Sequence, residues 1–246
     1  MAGPAGFKRA PMIRPCLNVF SLLDHLTGSY QRGLDGAWYL NGGLSHTMGI
    51  AGRGNTFKTS FQKACSIRAA IRYNVEWYET YDSENSFGGV TRLQMFVDNI
   101  TEAKGIDVLG LINADEPTWN ISAASEETGD EWWKRYRDEA PNRKALKGKD
   151  LLTTVFTNYD GTFMKTPSPW ILDVDSFTKL TITNVEKMHD KSNVGSSDLN
   201  TEAMKGAAAK SQMMSQLSNS APVGNYFMTL TAHAGDEIKM DQYAPS

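Results

Sequence analysis

Eight consecutive residues, Gly52-Arg53-Gly54-Asn55-Thr56-Phe57-Lys58-Thr59, carry the most specific chemical signal in the chain. A loop that cradles phosphate groups has the spacing glycine, four residues, glycine-lysine, then serine or threonine. Here that spacing is kept with one departure, because Phe57 stands where the template has its second glycine. Gly52 and Gly54 are expected to allow the backbone angles that turn N–H groups inward. A helix leaving the loop brings positive potential at its N-terminus. Lys58 then reaches the β- and γ-phosphates, and the Thr59 hydroxyl is a ligand for Mg²⁺. Arg53, Asn55, Thr56, Phe57 and Ser60 complete the expected lining. A Gly-rich turn ahead of an ordinary helix satisfies part of the same pattern.

Three further positions match the needs of phosphate chemistry. Trp170 to Ser176 is an apolar run holding two carboxylates, Asp173 and Asp175. Asp175 closes the run and suits a Mg²⁺ water shell, while Asp173 reads as an ordinary strand position. Tyr81-Asp82-Ser83-Glu84 follows a strand, and ligands bind beyond the carboxyl ends of strands in open α/β sheets. Glu84 there is a candidate general base for an attacking water. The competing reading is a helix cap made by Asp82 or Ser83. His233 ends the last strand, where it can sense a γ-phosphate or serve as a structural histidine.

The elements that must carry these residues follow from hydrophobic periodicity. Strands are expected at 47–51, 75–81, 106–112, 151–157, 170–175 and 226–232, and helices at 59–72 and 90–104. The β-α-β-α-β order implies a parallel sheet with crossover helices. Residues 1–45 read as an irregular segment and possible subunit-contact arm, and 46–246 as the core. Within the core, 113–165 looks like a divergent basic insertion. It holds Lys134, Arg135, Arg137, Arg143, Lys144, Lys147 and Lys149. A solvated helix plus loop is the ordinary reading of that run, and a nucleic-acid or phosphate surface the rarer one. Residues 192–223, rich in Ser, Asn, Ala and Met, read as a mobile loop leading to a short helix.

Composition sets the outer bounds. The chain has 246 residues, with 25 Lys plus Arg against 28 Asp plus Glu, a net charge of −3. That excludes a uniformly basic nucleic-acid coat but not a local basic patch. Hydrophobic residues at 40% suffice for one sizeable core. Cys16 and Cys65 are too few for a disulfide framework or a four-ligand zinc site. No run reaches the roughly 18 apolar residues of a membrane span, and the N-terminus lacks the apolar stretch of a signal peptide. A cytoplasmic protein without a membrane partner is expected.

Taken in order, the elements resemble a known family. Asn41 to Ser45 precedes the loop, Phe57-Lys58-Thr59 ends it, and Tyr81 to Glu84 follows. An apolar run ending Asp175-Ser176, the Ala- and Met-rich stretch from Lys205 to Ser218, and a strand ending in His233 complete the series. This resembles the ATPase core of RecA-type recombinases, most closely the phage UvsX branch, over about 41–246. The resemblance implies an α/β fold, a RecA-like P-loop core with a mainly parallel sheet flanked by helices. It implies ATP and Mg²⁺ bound through Gly52, Gly54, Lys58, Thr59 and Asp175. Glu84 resembles the catalytic glutamate, and His233 the polar residue that couples nucleotide state to DNA. Single-stranded DNA is the implied partner, contacted by 195–213 and by a second loop beginning at 234–246, with Lys205, Lys210 and Lys239 as cations. Self-association into a filament or ring is implied too, and Phe7-Lys8-Arg9-Ala10 fits the Phe-x-x-Ala pattern that joins recombinase subunits. The implied role is homologous recombination and repair by strand exchange or annealing, in the host cytoplasm if phage-encoded. The chain stops at Ser246, before the strands that end the family's sheet, so those strands are expected to be missing. A hexameric helicase motor shares this core, and a non-hydrolysing interaction protein that kept the pocket is the third reading.

Overall fold

A computed structural model describes residues 13–54, 56–85, 87–183 and 198–234, with the side chains of 198–203 left aside. Its centre is a five-stranded, all-parallel sheet in the order β3-β9-β8-β4-β5. The strands are β3 (Thr47–Gly52), β4 (Trp77–Asp82), β5 (Trp119–Ala123), β8 (Trp170–Asp175) and β9 (Tyr226–His233). Two hairpins stand outside the sheet, β1–β2 (Ser29–Arg32 and Trp38–Asn41) and β6–β7 (Leu151–Thr157 and Phe163–Pro167). Six α-helices accompany them among the described residues: α1 (Ser21–Thr27), α2 (Lys58–Arg72), α3 (Gly89–Asp98), α4 (Val108–Ile112), α5 (Gly129–Lys144) and α6 (Asp198–Gly224).

A parallel sheet needs cover on both faces because crossover helices lie on both sides. Strand alternation decides what each face buries. Along β8, Ile171, Asp173 and Asp175 turn toward α2, while Leu172 and Val174 join the opposite core. That opposite core is packed by Trp132, Tyr136 and Ala140 of α5 and by Met213, Leu217 and Ala221 of α6. Their spacing of four residues gives each helix one apolar stripe.

Both faces also hold a buried carboxylate. On the α2 face, Asp173 and Lys63 form an ion pair at 2.9 Å, both side chains fully buried. Tyr78 and Ser66 donate to the same carboxylate at 2.9 and 2.5 Å, Thr229 donates to it as well, and Lys63 also donates to Thr80. Burial first, then the charge of Asp173, pushes the Tyr78 phenol well above its ordinary range, so it remains a donor. On the other face, Glu79 accepts from Trp132 Nε1 at 3.0 Å, from Arg135, and from the Ser122 and Tyr136 hydroxyls. Isolated carboxylates cannot be buried cheaply, and these networks satisfy them.

Several expectations are corrected. The apolar run 106–112 is not a strand: Val108–Ile112 forms α4, and the Gln94 side chain accepts its first amide. Short apolar runs do not distinguish strand from helix. The edge strand is β5 instead, so much of 113–165 is integral to the sheet and its cover, and only β6–β7 stands apart. Strand 151–157 belongs to that hairpin, not to the central sheet. Residues 13–45 are ordered as α1 and β1–β2, with Leu17, Val19, Leu23 and Leu44 in the main core. Asp198–Gly224 is one helix of 27 residues where a loop and a short helix were expected. Its Ala, Met, Gln and Lys content favours helix, and packing of Met213, Leu217 and Ala221 selects it. No helix among the described residues is long and apolar enough to cross a membrane.

Candidate active site

β3 delivers the chain into the loop and α2 begins at Lys58. Phe57 occupies the N-cap in a left-handed conformation, φ 57° and ψ 23°, with its ring 81% exposed. A non-glycine residue there costs roughly 1–2 kcal/mol. Neither Gly52 nor Gly54 adopts a left-handed φ, so the expectation that they supply the unusual angles is corrected. A Cβ added at Gly52 would lie 2.8 Å from Thr56 Oγ1, so a larger residue there would displace that hydroxyl. No side chain caps α2, which leaves its first-turn amides without intrahelical partners and open to an anion. Lys58 is mostly buried, and its ammonium donates to the Arg53 carbonyl at 2.7 Å, where Thr56 Oγ1 also donates at 2.8 Å. The loop therefore closes around the lysine head group.

Thr59 lies one residue into α2 and faces β8. Its hydroxyl donates to Asp175 Oδ2 at 2.6 Å, and Thr231 Oγ1 of β9 donates to Asp175 Oδ1 at 2.5 Å. Asp173 sits two residues deeper on the same strand face and meets Lys63, four residues on from Thr59. Four helical residues rise about 6 Å and two strand residues about 6.6 Å, so the two helix–strand contacts stay in step. Asp173 is thus the anchor of α2, and Asp175 is the carboxylate at the open edge.

Glu84 comes next to this pair. Asp82 accepts the Glu84 amide at 3.1 Å and the Phe87 amide at 2.7 Å, which makes the turn. The Ser83 hydroxyl donates to the Ser176 carbonyl at 2.6 Å and accepts the Ser176 amide. The peptide bond between Asp175 and Ser176 is cis. The expected helix cap made by Asp82 or Ser83 is corrected: the N-cap of α3 is Gly88 with no side-chain cap, while Asp82 holds the turn and Ser83 the Ser176 backbone, which leaves the Glu84 carboxylate for other partners. Its Oε1 accepts from Ser176 Oγ at 2.9 Å and lies 3.1 Å from His233 Nε2.

His233 arrives on β9, which lies between β3 and β8 and pairs His233 with Gly52. Its amide donates to Thr178 Oγ1 at 2.9 Å. Lys58, Thr59, Asp175, Glu84 and His233 therefore meet at the carboxyl edge of the sheet, from four separate elements. Lys210 does not join them; it is half-buried and its ammonium donates to the Thr178 carbonyl at 2.7 Å. Lys205 is exposed on α6. Asn55, Lys239 and the Phe7 to Ala10 motif lie outside the described residues. Thr231 and Thr178 were not singled out from sequence, although the alternation Thr229-Leu230-Thr231-Ala232-His233 marks one polar face of β9.

The donors fit a hard divalent cation. Mg²⁺ takes oxygen ligands, commonly one or two carboxylates with substrate phosphates and water. Thr59 Oγ1 and Asp175 supply two such oxygens side by side. Among the described residues no group of three or more His, Cys, Asp or Glu could hold a metal by itself. No protein-family model matches the chain, and no curated protein matches it in sequence.

Proposed function

We propose that this chain is an ATPase of the RecA type that couples nucleotide state to single-stranded DNA. The observation that carries the reading is the 2.6 Å contact between Thr59 of the loop helix and Asp175 of β8. It joins a phosphate-loop helix to an acidic strand end, with a second carboxylate, Glu84, and a histidine beside them. The α2 amides and Lys58 bind the β- and γ-phosphates. Thr59 and Asp175 would hold Mg²⁺, which when bound neutralises charge on those phosphates. Glu84 orients the attacking water and accepts its proton, and Lys58 offsets charge developing on the leaving oxygen. His233 holds the Glu84 carboxylate and lies beside the loop.

Action in recombination and repair, as a filament or ring on DNA, is the further part of this proposal. It is supported by the link from α6 through Lys210 and Thr178 to the His233 amide. Glu84→Gln tests the chemistry. ATP binding is expected within a few-fold of wild type, with hydrolysis down by roughly 10²-fold or more, the range for a positioned base. Normal hydrolysis would move the catalytic carboxylate elsewhere.

A further inference from the structure

The opposite edge of the sheet carries a basic cleft unrelated to the loop. His46 precedes β3, Asn225 precedes β9, and Ser168 and Pro169 precede β8, so this is the amino edge. Strands of this length hold it about 20 Å from the phosphate loop. Two cavities of about 410 and 230 Å³ adjoin there, sharing Arg14, Pro15, His46 and Pro222. Arg14, Lys144 and Lys165 supply charge, and Asn158, Thr166, Asn219, Ser45 and Ser218 supply polar groups. No lining residue of either cavity is acidic.

The basic run of α5 divides into two groups. Arg135 pairs with Glu79 and Glu127, Arg137 with Asp138, and Arg143 is buried against the Gly224 and Ser168 carbonyls. Arg135 and Arg143 are thereby committed to the fold, and Arg137 to an exposed pair with its neighbour. Lys144, by contrast, lines the cleft, and none of Arg14, Lys144 and Lys165 forms an ion pair with a described carboxylate. The three cations come from separate segments and are all exposed. Lys147 and Lys149 follow Lys144 toward β6, whose Thr153 pairs with Lys165. Arg14, Lys144 and Lys165 all line the larger cavity, and the exposed Lys147 and Lys149 continue the positive charge along the chain beyond it. Burial, reinforced by Arg14, holds His46 below its ordinary value, and its Nδ1 is bonded to the Tyr226 carbonyl. The lining has no phenylalanine, tyrosine or tryptophan on which bases could stack.

We propose that this cleft binds the phosphodiester backbone of a single-stranded nucleic acid, without sequence preference. Exposed cations that continue from the cavity to Lys147 and Lys149, with no acidic residue in the lining, match a linear polyanion, and because His46, the one aromatic ring in the lining, is already packed against Phe227 at 4.6 Å, recognition is confined to the backbone. The proposal shares with the proposed function only that the chain binds single-stranded DNA; it does not depend on nucleotide hydrolysis. The C-terminal end of α6 lines the cleft through Ser218, Asn219 and Pro222, while Lys210 of the same helix bonds Thr178 beside His233.

The test is a salt titration of binding to a labelled single-stranded oligothymidylate, with no nucleotide present. Wild type is compared with the triple variant Arg14→Ala, Lys144→Ala, Lys165→Ala and with Lys205→Ala, Lys210→Ala. The triple variant is expected to bind at least tenfold more weakly at low salt, with the slope flattened by roughly 0.7 per lost contact. Its thermal midpoint should not move, because all three side chains are exposed. The charge-preserving pair Lys144→Arg, Lys165→Arg should bind as wild type. Unchanged affinity and slope in the triple variant overturn the cleft, and a loss confined to the α6 variant moves the DNA site there while leaving the DNA reading intact. Absence of DNA binding in every protein overturns both DNA assignments, but ATP hydrolysis sensitive to Lys58→Ala would still stand. Inorganic pyrophosphate that displaces the oligonucleotide at matched charge concentration makes the cleft a small-anion pocket and overturns the backbone assignment.

Discussion

His233 Nε2 lies 3.1 Å from Glu84 Oε1, although 149 residues separate them along the chain. The ring belongs to β9 and the carboxylate to the turn after β4, and β8 runs between them. Ser176, at the end of β8, bridges the gap by donating to the same Glu84 oxygen at 2.9 Å. Two donors on one oxygen fix the carboxylate's orientation and leave the other oxygen for a water.

Removing one donor should then impair chemistry more than binding. His233→Ala is expected to lower ATP turnover by roughly tenfold or more and to leave nucleotide affinity within a few-fold. Steady-state turnover read beside equilibrium binding of a fluorescent ATP analogue separates the two. A loss of affinity with turnover per bound nucleotide intact would make His233 a binding residue.

The Lys63–Asp173 pair predicts an asymmetric stability response. Lys63→Met leaves Asp173 buried without its cation, and breaking a buried pair on one side costs about 3–5 kcal/mol. The double variant Lys63→Met, Asp173→Leu removes both charges and should recover much of that loss. Denaturant unfolding of wild type, the single and the double variant reads this directly. A double variant no more stable than Lys63→Met would show that Tyr78, Ser66 and Thr229 need the carboxylate as much as the lysine does.

Lys210 is tied to the Thr178 carbonyl, so its replacement should act on the fold first. Lys210→Ala is expected to cost about 1 kcal/mol, the usual worth of such a bond. That lowers the melting temperature by about 2–4 °C in a chain of this size. Oligonucleotide affinity should stay within twofold. Weakened DNA binding at unchanged stability would assign Lys210 to the DNA surface.

Much of this arrangement was legible in the residues. The loop spacing, the closing Asp175, the Glu84 turn and the terminal His233 are local patterns, and each lies at the end of a strand recognisable as a short apolar or alternating run. What could not be read was pairing across long separations. Lys63 looks like an exposed position of an amphipathic helix, yet it is fully buried because Asp173, 110 residues away, meets it. Arg143 reads as one charge in a basic run, yet it lies over the Trp170 ring at 3.9 Å. The role of 106–112 failed for a different reason: five apolar residues fit one helical turn as readily as a strand, and the Gln94 cap decides between them.

The thiols give a pH test. Burial, with Asp173 as the next cause, pushes the Cys65 thiol up from 9.0 to about 12. The folded state therefore favours the protonated thiol more than the unfolded state does. Its contribution to stability is complete below pH 9 and falls as pH rises from about 9 toward about 12. Cys65→Ala should show a shallower loss of stability across that window than wild type, measured by denaturant midpoint at stepped pH. Parallel curves would mean that Cys65 does not titrate with unfolding.

The most direct test of the nucleotide site is ATP turnover by wild type and Lys58→Ala, purified side by side with contaminating hydrolases excluded. Lys58 is the ammonium enclosed by the loop, and among the described residues it bonds only to the Arg53 carbonyl. Its removal should therefore leave the fold standing while abolishing phosphate-facing charge. Wild type is expected to hydrolyse ATP with Mg²⁺ present and Lys58→Ala to fall to background. Equal turnover in the two proteins would contradict the assignment of residues 52–59 as a phosphate loop.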